Sequence, residues 1–152
     1  MRNPTPEEAR LLLQRAQADP AWWCEHVLRI KPWSKQVEIM ESVRDNPRTA
    51  VRSCHGVGKS FTAGQVILWF LNSFSPSIVL STAPTWRQVE KLIWKEVRAS
   101  YARAGGLGGN LLPASPELQI VRDQWYAAGL STNDPNKFQG YHEEHILVIV
   151  DE

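Results

Sequence analysis

The sequence predicts an α/β protein built on a parallel β-sheet flanked by helices, and three observations carry that expectation. From residue 47 onward, short β-branched runs alternate with helical stretches, the pattern of strands joined by crossover helices. A glycine-containing loop, Ser53-Cys54-His55-Gly56-Val57-Gly58-Lys59-Ser60, sits between one such run and a strongly apolar helix. A continuous apolar run, Ile146-Leu147-Val148-Ile149-Val150, ends in the acidic pair Asp151-Glu152. At 152 residues there is room for one moderate core. The pattern divides the chain into a helical segment, 1–46, and a sheet-bearing core, 47–152.

Taken in order, Thr5-Pro6-Glu7-Glu8 forms a capping box with proline at the first helical position, predicting a helix to about Ala18. A short apolar helix follows at Trp22–Leu28 and is broken by Lys31-Pro32. A third helix is expected from Ser34 to Arg44, with Val37, Met40 and Val43 (or Ile39) on its apolar side. Thr49–Ser53 reads as the first core strand, leading into the glycine loop. Lys59–Asn72 reads as a helix apolar almost all round, hence buried on two sides. Ser77–Ser81 is a second buried strand. Thr85-Trp86-Arg87-Gln88 is another capping box, opening a helix with Val89, Leu92, Ile93 and Val97 as its stripe. Ala104–Pro116 is a flexible connection, and Leu118–Val121 with Trp125–Ala128 suits a hairpin around Arg122-Asp123. Ile146–Val150 reads as a strand buried on both faces.

Composition narrows the class. A net charge of +1 supplies no bulk field for nucleic acid or anionic membrane, so any polyanion must be met by local patches. Cys24 and Cys54 are too few and too far apart for a disulfide framework. The N-terminus lacks the apolar core of a signal peptide, and the longest apolar run, Val66–Leu71, is too short to span a bilayer. A soluble, cytosolic-type protein is expected, with most of the seven tryptophans serving as packing.

The loop Ser53–Ser60 fits the phosphate-loop pattern with serine in place of the first glycine. Glycines let backbone N–H groups wrap around phosphate oxygens, and the following helix adds the positive end of its dipole. Ser53, Cys54, His55, Gly56, Val57, Gly58, Lys59, Ser60 and Phe61 are therefore nucleotide-binding candidates. Lys59 suits the β- and γ-phosphates, and Ser60 the Mg²⁺ they carry. A bare glycine turn before a helix is the bland alternative. At the other end of the motif, Asp151 suits Mg²⁺, and Glu152 suits the general base that deprotonates attacking water. ATP and Mg²⁺ are the expected cofactors.

Upstream, Gln36 carries a donor and an acceptor that match the N6/N7 edge of adenine, and Trp33 can stack on the base. The plain alternative is a solvent-facing glutamine. The segment Ser81-Thr82-Ala83-Pro84-Thr85 lies at the C-terminal end of a strand, where ligands bind in such sheets. Thr82, Thr85, Arg87 and Lys91 are thus candidates for DNA contact or coupling, a solvated helix face being equally open.

Together KPWSKQ, VRSCHGVGKSFTAG, STAPTWRQVEKLIWKEV and KFQGYHEEHILVIVDE resemble the N-terminal ATPase of a tailed-phage terminase large subunit, over about Pro32 to Glu152. The resemblance implies a P-loop NTPase (RecA/ASCE-like) parallel sheet that hydrolyses ATP to drive double-stranded DNA into a procapsid. The partners it implies are DNA, a portal protein, a small terminase subunit and further copies in a ring, all in the host cytoplasm. Relatives often carry an arginine in or beside the loop and another before the acidic strand. Here the nearest basic residues are Arg52 and Lys137, candidates for an arginine or lysine finger. The resemblance also implies a sheet incomplete at its C-terminal side, without one central strand and without the nuclease domain. A truncated product of marginal stability is the matching expectation. Two other readings stand beside it: a helicase-like DNA translocase, and a nucleotide-binding fragment without turnover.

Overall fold

The computed structural model describes residues 2–131 and 138–151. The N-terminal elements follow their local signals. Helix α1, Pro6–Ala18, opens on the Thr5 box: Thr5 Oγ1 accepts from the Glu8 N–H at 3.2 Å, and Glu8 Oε2 accepts from the Thr5 N–H at 2.8 Å. Helix α2, Pro20–Trp23, runs into a π-helical turn, Cys24–Leu28, that ends at Arg29 in the left-handed region. Helix α3 spans Ser34–Asp45 and buries Gln36 and Met40.

Helix α4, Lys59–Ser73, is the centre of the core. Val66, Ile67, Leu68, Trp69 and Leu71 are all buried. The two-sided burial expected from its apolar circumference is present, with the sheet on one side and helices on the other. Its neighbours are tied by side chains to carbonyls that helix ends leave free. Trp69 Nε1 donates to the Ala16 carbonyl at 2.7 Å, and Gln17 Nε2 donates to the Ser73 carbonyl at 2.7 Å. Trp125 Nε1 donates to the Leu71 carbonyl at 2.8 Å, pinning the sheet to the same helix end.

After strand β1, Ser77–Ala83, the Thr85 box forms as expected at the start of α5, Trp86–Gln88. A π-helical turn, Val89–Ile93, then leads into α6, Trp94–Ala104. That wider turn changes the expected stripe. Val89, Ile93 and Val97 are buried, but Leu92 is 47% exposed and Trp94 takes the inward place. Strands β2 (Asn110–Leu111), β3 (Glu117–Val121), β4 (Trp125–Ser131) and β5 (His145–Val150) complete the described elements.

The sheet overturns the expected RecA-like parallel architecture. Its strand order is β2-β3-β4-β1-β5, and it is mixed: β1 runs parallel to β4 and β5, whereas β2-β3 and β3-β4 are antiparallel. Two local causes produce this. Asp123, with φ 61°, turns the chain straight back, so β3 and β4 form the expected hairpin and bring an antiparallel half to the sheet. The second cause is the missing strand. Thr49–Ser53 forms no strand, because a strand needs a hydrogen-bonded neighbour and this segment faces β5 across an open cleft. It is tethered instead to α3, where Ser42 Oγ and Thr49 Oγ1 lie 2.9 Å apart.

The reading of β5 as a strand buried on both faces is corrected too. β5 is an edge strand; Leu147 and Ile149 pack on the core, while Ile146, Val148 and Val150 are exposed. Of the tryptophans, Trp23, Trp69 and Trp94 are buried, whereas Trp33 and Trp86 are exposed.

Helix α4 approaches α6 closely at Gly64, where an added Cβ would meet Glu96 Cβ at 3.0 Å and the Val97 nitrogen at 3.1 Å. Alanine is favoured over glycine in a helix interior by about 1 kcal/mol. Overpacking at a backbone contact costs about 1–3 kcal/mol, so Gly64→Ala is expected to lower the urea midpoint. A raised midpoint would mean that the two helices part without loss.

Candidate phosphate-binding site

The loop before α4 owes its course to two glycines. Gly56 and Gly58 have φ of 80° and 84°, a region that L-residues with side chains rarely enter. Gly58 caps α4, and its carbonyl accepts from the Thr62 N–H at 2.9 Å and from Thr62 Oγ1 at 2.8 Å. Thr62 is thus an anchor that the motif reading passed over; its signal was a hydroxyl one helical turn after the last loop glycine. Lys59 Nζ donates to the Ser53 carbonyl at 3.3 Å, closing the loop across its own base. Ser53, Cys54 and His55 are exposed, and Val57 and Ser60 are half-buried. Phe61 turns its ring to the core.

Two clefts meet at this loop. The smaller, of about 370 Å³, lies between α3 and the loop and is lined by Trp33, Gln36, Arg52, Ser53, Val57 and Lys59. The larger, of about 910 Å³, lies between residues 46–51 and β5; Lys59, Thr62 and Asp151 are on its walls. Lys59 borders both. The fold therefore brings the upstream tryptophan and glutamine to one side of the lysine and the first acidic residue to the other.

Gln36 is not the solvent-facing residue of the plain alternative. It is only 6% exposed, and its Oε1 accepts from the Trp33 N–H at 3.2 Å. Trp33 is 53% exposed. Asp151 is half-buried just past the end of β5, where its N–H donates to the Thr82 carbonyl at 2.9 Å. That bond joins the strand carrying the acid to the one leading into the second loop. Thr82 is buried, and its hydroxyl has no hydrogen-bond partner among the described residues.

The other predicted residues are not drawn into either cleft. Thr85 is occupied as a helix cap, and Arg87 and Lys91 are exposed, Lys91 lying 3.8 Å from Glu90. Glu152 and Lys137 lie outside the described residues. Among the described residues, no three His, Cys, Asp or Glu side chains gather as a metal cage. None of their helices is long and apolar enough to cross a membrane.

Compared with protein-family models, with curated proteins and with solved structures, the chain matches none.

The two cysteines differ in a way that can be read directly. Cys54 is exposed on the loop, whereas Cys24 is buried, and burial, with the nearby Asp19 charge, pushes its thiol up to about 12. A thiol reagent at pH 8 is expected to modify Cys54 rapidly in the native chain and Cys24 only after denaturation. The sign for stability follows from the same shift. Above the ordinary thiol value of 9.0 the unfolded chain gives up a proton that the folded chain keeps until about 12. Stability from Cys24 is therefore full below 9.0 and declines across that window. Equal labelling of both cysteines in the native state would contradict this.

Proposed function

We propose that the chain is the ATP-hydrolysing motor segment of a phage terminase large subunit, acting on double-stranded DNA. The observation that carries the reading is the position of Lys59. It starts a 15-residue helix behind a loop bent by two left-handed glycines, and it borders both the Trp33–Gln36 cleft and the Asp151 cleft. A nucleotide triphosphate fits such a junction, with its base toward α3 and its phosphates at the loop. The reading rests on this loop–helix unit and not on the order of the sheet.

In the proposed reaction, N–H groups of the loop and the Lys59 ammonium neutralise the phosphate oxygens as charge shifts toward the leaving group. Ser60 and Asp151 would hold Mg²⁺ together with phosphate oxygens and water, since Mg²⁺ is commonly bound by one or two protein ligands plus substrate. Glu152 takes the proton of the attacking water. Trp33 stacks on adenine and Gln36 faces its polar edge. Arg52 and Lys137 are the cations available to act as fingers. Thr82, Thr85, Arg87 and Lys91 follow the strand joined to Asp151 and are suited to pass the hydrolysis state to DNA. A portal protein, a small terminase subunit and further copies in a ring would be the working partners, in the host cytoplasm.

A second reading, nucleotide binding without turnover, draws on the unpaired segment Thr49–Ser53, which leaves the loop without a strand behind it. Phosphate release with Mg²⁺ distinguishes the two. Wild-type turnover reduced on the order of a hundredfold or more by both Lys59→Ala and Glu152→Gln supports the motor. Binding of an ATP analogue with no phosphate release supports the second reading.

A further inference from the structure

The amide of Gln36, assigned above to the adenine edge, has neighbours of its own in the fold. Its carboxamide is buried between two backbones. On one side Oε1 accepts the Trp33 N–H at 3.2 Å, which fixes the amide at the start of α3. On the other, a methyl group placed on Gly58 would come within 3.3 Å of Gln36 Nε2, so the amide nitrogen lies against the cap residue of α4. Gly58 is also the residue on which the loop turns. It has φ 84°, and its carbonyl is held by both the N–H and the hydroxyl of Thr62. Gly58 is therefore held by hydrogen bonds from Thr62 on the α4 side and has the Gln36 amide beside it on the α3 side.

We propose that Gln36 is a positioning residue for the phosphate loop, wedged against Gly58 so that affinity for the triphosphate depends on it whatever the base. Among the described residues no strand stands behind the loop, since Thr49–Ser53 forms none, and α3 lies on that side instead. A loop pre-organised in this way loses less conformational freedom when it closes on phosphate. Losing the wedge would weaken every ligand that the loop holds through phosphate oxygens.

The inference rests on the loop's being a phosphate site, and the test separates the two. Binding of ATP, GTP and inorganic tripolyphosphate, all with Mg²⁺, is measured by calorimetry for wild type, Gln36→Ala and Lys59→Ala. The thermal melt of each serves as a fold control. Gln36→Ala is expected to weaken all three ligands by about tenfold. Loss of ATP binding alone, with tripolyphosphate affinity unchanged, would make Gln36 a base reader only and overturn the inference. If wild type binds none of the three ligands, the phosphate-site reading falls and takes this inference with it. If Lys59→Ala abolishes binding while Gln36→Ala does not alter it, only this inference falls.

Discussion

The burial of α4 is the constraint on which the rest of the structure depends. A helix apolar around most of its circumference cannot lie on a surface, so it must be covered by a sheet on one side and helices on the other. Once enclosed, its C-terminal carbonyls have no water to turn to. They are met by Trp125 from the sheet and Gln17 from α1, while Trp69 returns the favour to the end of α1. These bonds are directional, and the buried one, from Trp69 to Ala16, fills an acceptor that would cost about 1–3 kcal/mol if left unsatisfied. They set the angle at which α4 leaves the core, and so where its N-terminus and loop emerge.

The helical layer is locked to the sheet by a second polar thread. Trp94 Nε1 donates to Ser81 Oγ at 2.9 Å, and Ser81 Oγ donates to the Ala128 carbonyl at 3.3 Å. Gly129 makes room for it: a Cβ there would lie 2.6 Å from Val89 Cγ1 and 2.9 Å from Trp94 Nε1. The π-helical turn before α6 is what brings Trp94 inward at the expense of Leu92. β1 is therefore held from both its neighbours and from above, which gives Asp151 a rigid strand to bond to at Thr82.

Much of the site was readable because its determinants are local. Gly56 and Gly58 adopt the left-handed backbone that their lack of a side chain permits, and Lys59 opens a helix as the motif requires. The two threonine capping boxes formed for the same reason, as their bonds span three residues. Gln36 was harder. Its residue type suggests a polar ligand, but nothing near it in sequence says that its amide will press against Gly58. That proximity sets an α3 side chain beside the residue that caps α4 and exists only in the folded chain. Arg87 and Lys91 illustrate the reverse, since their spacing on one helical face left their surroundings undecided, and they are exposed away from both clefts.

By itself, then, the sequence determined the helices, their threonine caps, the conformation of the glycine loop, the Arg122-Asp123 hairpin and the apolar run that became β5. All of these depend on backbone preferences and on bonds between near neighbours in the chain. Tertiary structure alone decided which strands pair outside that hairpin, and in which direction. Thr49–Ser53 and Ile146–Val150 both read as strands, the second far richer in β-branched residues, and only the second found a partner, in β1. Pairing joins segments far apart in sequence, and any apolar extended run satisfies its composition. Only the burial of α4 and the position of its neighbours select among the possible edges.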